Sequence, residues 1–152
     1  KEMISKQCDA YLMHGDPPAT VADKVADMRA RRERLNLPDL VYGVSGYVIC
    51  RDTKEEVRCE YERVTNVSEG AASFENFQQW LAGTELEQEL QVQDYSVSNR
   101  GLKSGLVGTP EQIVERLRAF EATGVDLVLL QFSPQYEEME RFSESVIARY
   151  GG

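Results

Sequence analysis

The stretch GTPEQIVERLRAFEATGVDLVLLQFSP, Gly108 to Pro134, constrains the fold more than any other part of the chain. Thr109 stands where a helix cap belongs, with Pro110 at the first helical position and Gln112 at the third, the pattern of a capping box. Ile113, Val114, Leu117 and Phe120 recur at helical spacing, and Gly124 is placed to stop the helix. Val125 to Leu130 is then an apolar run without polar alternation, which predicts a strand covered on both faces, as in a parallel sheet. Ser133 is expected to cap a following helix, with Pro134 in its first turn and Met139, Phe142, Val146, Ile147 and Tyr150 as its apolar stripe. The order is helix, strand, helix.

The same grammar occurs twice upstream. Asp9 to Met13 reads as a short strand, and Asp16 is expected to cap a helix with Pro17 at its first position and Val21, Val25 and Met28 buried. That helix ends in the basic stretch Arg29 to Arg34, which is either a phosphate site or a solvated last turn favoured by the helix dipole. Val41 to Cys50 is the next strand. Thr53 and Glu56 then form a second capping box ahead of Val57, Tyr61 and Val64.

Residues 66–107 interrupt the rhythm. A short helix is expected around Phe74 to Leu81, followed by the polar QVQDYSVSNRGLKSG. Ordinary connections run about 2 to 6 residues, so this insertion is either an active-site lid or a surface excursion without a role. Alternating strands and amphipathic helices imply one parallel α/β domain over residues 1–152. Ligands in such folds sit beyond the carboxyl ends of the strands. There the sequence puts His14, Ser45, Tyr47, Gln131, Phe132 and Ser133.

A formal net charge of −9 disfavours nucleic acid and acidic membranes as partners. No apolar run approaches the ~18 residues that span a bilayer. Cys8, Cys50 and Cys59 lack the spacing of a disulfide framework or a zinc site, so no metal is expected, and reduced thiols in a cytoplasmic chain fit best. There is no GxSxG motif, so no serine nucleophile is indicated.

Several stretches together carry a further signal: CDAYLMHGDPPATVADKVADMRARRE, YGVSGYVICRDTKEEV, FQQWLAGT, DYSVSNRGLKSGLVGTP and LLQFSPQYEEMERF. In order and spacing they resemble the C-terminal half of the bacterial luciferase-like flavin monooxygenases, closest to those that act on dimethyl sulfone with reduced FMN. The resemblance implies the C-terminal half of a (β/α)8 TIM barrel, with parallel strands, flanking helices and the long insertion at the active site. A barrel of that kind needs roughly 250 residues. The chain is therefore expected to be a fragment or processed product. The family's phosphate-binding loop would precede Lys1, and the open edges would pair with a second copy or the missing half.

The resemblance also implies oxygenation of a small organosulfur compound by reduced FMN and O2, with FMN supplied by a separate, transiently bound reductase and the enzyme a homo-oligomer. It implies catalytic roles for Arg100, Tyr47 and His14, flavin contacts from Ser45, Gln131 and Ser133, and substrate contacts from Phe132 and Trp80. Each has a plainer alternative. Arg100 can be a solvated loop arginine, His14 a loop histidine bonded to backbone, and Ser45 and Tyr47 barrel lining. Ser133 can be a helix cap, and Trp80, Phe74 and Phe77 local core. The related alkanesulfonate enzymes carry an arginine and a histidine where Ser45 and Tyr47 stand, which favours a neutral substrate here. The alternatives for the whole chain are a non-catalytic half barrel that self-associates without flavin, and a cofactor-free member of the fold.

Overall fold

A computed structural model of the chain describes residues 1–66 and 101–151. Helix α1 (Glu2–Gln7) leads into strand β1 (Ala10–Met13) and helix α2 (Pro18–Arg34). Strands β2 (Val41–Tyr47) and β3 (Ile49–Cys50) precede helix α3 (Lys54–Thr65). A 3-10 turn (Leu102–Ser104), strand β4 (Val107–Gly108) and helix α4 (Pro110–Glu121) lead to strand β5 (Leu127–Gln131). Helix α5 (Gln135–Phe142) continues through a π-helical turn, Ser143–Ile147, into α6 (Ala148–Tyr150). The predicted insertion helix around Phe74 to Leu81 lies outside the described residues.

Among the described residues all strand pairs are parallel. β1, β2 and β5 form one sheet with β2 central, and β3 pairs with β4. The predicted strand Val41 to Cys50 is thus divided. At Val48 the chain leaves one partner for another: its N–H still donates to Gln131 O at 3.0 Å, and from Ile49 onward it pairs with β4.

Both predicted helix starts with Thr hold. The Thr53 hydroxyl accepts from Glu56 N and Glu56 Oε2 accepts from Thr53 N, while Gln112 Oε1 accepts from Thr109 N at 3.0 Å. Two predicted caps fail. Asp16 caps nothing: α2 starts at Pro18, and the Asp16 carboxylate is paired with Lys24. Ser133 is not a cap either: α5 begins at Gln135, with Pro134 at the cap position and no side-chain cap bond. The basic stretch is structural. Arg32 is buried and donates to the carbonyls of Pro38, Ser5 and Cys8, while Arg29 and Arg31 pair with Asp39 and Asp27.

The pleat sorts each strand's side chains to two faces. Met13, Tyr42, Val44, Val128 and Leu130 face the helices and join Val21, Val25, Met28, Ile113 and Phe120 in the main core. The Tyr42 hydroxyl donates to Asp39 at 2.6 Å; burial, then this bond, pushes the Tyr42 hydroxyl well above its ordinary range.

The other face is bare over most of its length. In register, Leu12 lies beside Gly43 and Gly43 beside Leu127, while Ser45 pairs with Leu129 and Tyr47 with Gln131. On this face Leu12, Val41, Leu127 and Leu129 are 55, 50, 53 and 48% exposed. The expectation of a strand covered on both faces is therefore corrected for the described residues: their helices pack along one face and reach the other only at the carboxyl ends of the strands. An apolar, half-exposed sheet with open parallel edges is what part of a barrel presents on its inner side.

Candidate active site

The site candidates gather where this bare face meets the carboxyl ends of the strands. There a second, smaller cluster covers it, made of Tyr47, Ile49, Val64 and Leu102 with Tyr61 and Val107 packed against them. α3 and the segment after Gly101 supply this cover.

Tyr47 closes the central strand. Its side chain is 4% exposed, and its hydroxyl is buried without a hydrogen-bond partner. An unpaired buried hydroxyl costs about 1–3 kcal/mol, so an orphan of this kind calls for an acceptor supplied from elsewhere. Gln131, opposite Tyr47 in register, is exposed. Its carbonyl is used by Val48 N, which leaves its side-chain amide for a ligand. Ser45 is half-buried and donates to Met13 O at 3.4 Å. His14 is exposed just past β1 and its carbonyl accepts from Asp16 N.

The remaining candidates part company with these. Phe132 points to the helix side, packing edge-on to Phe142 with ring centroids 5.4 Å apart at the margin of the main core. In that position Phe132 lies on the helix side of the sheet, away from the face that carries Tyr47, Ser45 and Gln131. Ser133 is exposed, and its carbonyl, 3.4 Å from Arg63 Nη2, is its recorded contact. Arg100 and Trp80, with Phe74 and Phe77, lie outside the described residues.

Sequence reasoning missed two features here. One is a nearly buried ion network beneath the loop after β5. Arg51 makes two bonds to Glu138, at 2.6 and 3.0 Å, a third to Cys50 O at 2.7 Å, and lies 3.4 Å from Glu60. Arg63 joins Glu60 at 2.6 Å, and this bond, ahead of the opposing effect of burial, holds the Glu60 carboxyl below its ordinary value. The second is a contact among glycines at the tops of β1 and β2. Gly101, at φ 76°, packs on Gly15 and Gly46. Its carbonyl accepts from Tyr47 N, Ser104 N and Ser104 Oγ at 3.4, 3.2 and 2.8 Å. The left-handed turns of NRGLKSG were the available signal for it.

This arrangement can hold a flat, largely apolar ligand against the bare face and hydrogen-bond its polar edge through Tyr47, Ser45 and Gln131. Ser45, Tyr47 and Gln131 bring no formal charge to that edge. Among the described residues no cluster of side chains suits a metal ion.

Comparison with known proteins extends the picture. Residues 1–127 match the family described as luciferase-like monooxygenase. The chain is 31% identical to the FMNH2-dependent dimethylsulfone monooxygenase of Pseudomonas fluorescens and 32% identical to that of Pseudomonas putida, over 97% of this chain and 42% of each relative. It thus spans less than half the length of those relatives. Among solved structures, a long-chain alkane monooxygenase superposes with a TM-score of 0.70 at 16% identity, over 97% of this chain and 37% of that one. EDTA monooxygenase from Chelativorans gives 0.63 at 17% identity, over 98% and 43%. These structural likenesses speak to the fold, a partial barrel of parallel strands.

Proposed function

The chain belongs to the luciferase-like monooxygenase family, and from that premise we propose that it forms the C-terminal part of a two-component monooxygenase that uses reduced FMN to oxygenate a small neutral organosulfur compound, such as dimethyl sulfone. The observation that carries the reading is the orphaned Tyr47 hydroxyl. It stands at the end of the central strand, on the face whose apolar residues are open, beside the side chains of Ser45 and Gln131.

The residues suit a flavin in kind. Leu129 and its neighbours offer an apolar wall for the ring, and Ser45 and Gln131 offer hydrogen-bonding groups for its edge. When bound, reduced FMN supplies the two electrons that divide O2, one atom going to the substrate and one leaving as water. The chain's own part is to orient and to exclude water. Tyr47 donates a hydrogen bond to an oxygen of the bound substrate or of the reacting flavin, in a place where water does not compete. The strand tips Ser45, Tyr47 and Gln131 carry no charge of their own, which suits a neutral sulfone at the sheet. Two identities above 30% to dimethylsulfone monooxygenases support the same substrate class. Arg100, in the polar segment before Gly101, is proposed as a cation that screens anionic oxygen at the mouth. His14, exposed beside Gly15, is proposed as a proton donor there.

The test is oxygenation by the full-length protein with dimethyl sulfone, NADH, FMN and a flavin reductase. NADH consumption that rises with the sulfone, with oxygenated product formed, supports the reading. Consumption that stays at the substrate-free rate removes dimethyl sulfone as the substrate.

A further inference from the structure

Resting on the proposed oxygenase reading, we propose that Gly15 is a positioning residue: it forms the seat on which the Gly101–Leu106 segment locks, and that segment in turn holds the Tyr47 side chain in place. The argument begins with space. A Cβ built on Gly15 would lie 2.4 Å from Ser45 O and 2.9 Å from Gly101 O, and both obstacles are backbone atoms that cannot swing aside. A Cβ on Gly46 would lie 2.9 Å from Ser104 Oγ and 2.7 Å from Leu106 Cδ1. Gly15 therefore leaves room for the backbone of Gly101, and Gly46 for the side chains of Ser104 and Leu106.

What the approach secures is directional. Gly101 O receives Tyr47 N from the sheet and both Ser104 donors from its own turn. Ser104, 1% exposed, also accepts from Leu106 N at 3.4 Å. Leu106 O then accepts from Ile49 N at 2.9 Å. The segment is thus tied to the strand at Tyr47 and again at Ile49, and Leu102, next to Gly101, packs in the same cluster as the Tyr47 ring. An atom added at Gly15 pushes on Ser45 O and Gly101 O, and the displacement reaches Tyr47 along its own strand, through the hydrogen bond to Gly101 and through Leu102. Tyr47 keeps its chemistry but loses its aim.

The experiment compares Gly15→Ala and Ser104→Ala with the unaltered full-length protein by two readouts. Amide hydrogen exchange is followed at Tyr47 and across residues 101–106, with residues 113–121 of helix α4 as the internal reference. Oxygenated product per reduced flavin consumed is followed with dimethyl sulfone. Gly15→Ala is expected to speed exchange in the seat about ten-fold or more, the response to losing roughly one hydrogen bond, and to leave the reference segment unchanged. Product per flavin is expected to fall several-fold, with hydrogen peroxide making up the difference. If Gly15→Ala does not fold, Ser104→Ala, which adds no atom, gives the same exchange test in the same direction. Unchanged exchange at Tyr47 and residues 101–106 in the folded variant overturns the inference. A seat that loosens as expected, in a protein that oxygenates nothing, upholds the seat and overturns the function it was proposed to serve.

Discussion

Replacing Arg51 with Met isolates the most deeply placed ion network in the chain. Arg51 is 14% exposed at its side chain and Glu138 is 9%. The substitution removes both bonds to Glu138 and the bond to Cys50 O while keeping an apolar stem of similar length. Glu138 would retain only Arg141, 3.9 Å away and about half exposed. Deleting one partner of a buried pair generally costs about 3–5 kcal/mol. Residual solvent access and the remaining contact to Arg141 place this case near the lower end, about 3 kcal/mol. Glu60 is spared, because Arg63 still holds it at 2.6 Å. For a domain of this size about 3 kcal/mol lowers Tm by roughly 6–12 °C. Urea unfolding followed by far-ultraviolet circular dichroism measures the loss directly. The combined change Arg51→Met with Glu138→Met is expected to recover most of it, since an apolar pair replaces a desolvated one. A loss below about 1 kcal/mol for Arg51→Met, or a double variant as unstable as the sum of its parts, would refute the account of the network as a coupled buried pair.

Other outcomes follow from single contacts. Tyr47→Phe removes an unpartnered hydroxyl, so stability should hold or rise slightly, while oxygenation by the full-length enzyme falls about a hundred-fold; equal activity removes Tyr47 from the chemistry. Phe132→Ala should cost about 2–3 kcal/mol in unfolding measurements and leave the KM for substrate nearly unchanged, since the ring packs on Phe142. Glu60 has a folded-state value below its ordinary 4.5, so the folded protein binds fewer protons there, and its contribution is present above about pH 4.5 and fades as pH falls further. Glu60→Gln should therefore lose stability at pH 7 and converge with the unaltered protein in acid, as a pH series of urea midpoints would show.

The parallel layout was legible because its signals are local. Capping boxes at Thr53 and Thr109, and the apolar stripe from Ile113 to Phe120, declare helices from a few neighbouring residues. What escaped depends on residues far apart. Nothing near Asp16 announces that Lys24 will take its carboxylate, and nothing near Ser133 announces that the helix starts only at Gln135. The run from Val125 to Leu130 signals two covered faces, but among the described residues the helices pack along one and reach the other only at the carboxyl ends of the strands. Phe132 looked like a pocket wall because it ends a strand; the pleat decides its side, and turns it toward Phe142. Arg51 and Glu138 are 87 positions apart, and only the fold makes them partners. Of the candidate site, Tyr47, Ser45 and Gln131 were visible as polar strand tips, whereas Gly15 has no side chain to draw notice.

Because Val48 already engages the main-chain oxygen of Gln131, the strand junction is fixed without any help from the glutamine's side chain. Position 131 is thus a socket with interchangeable fittings. On the proposed function, exchanging Gln for Asn, Thr or His there is expected to alter which molecule is bound while the sheet beneath stays intact, so a directed search for altered selectivity starts at that residue.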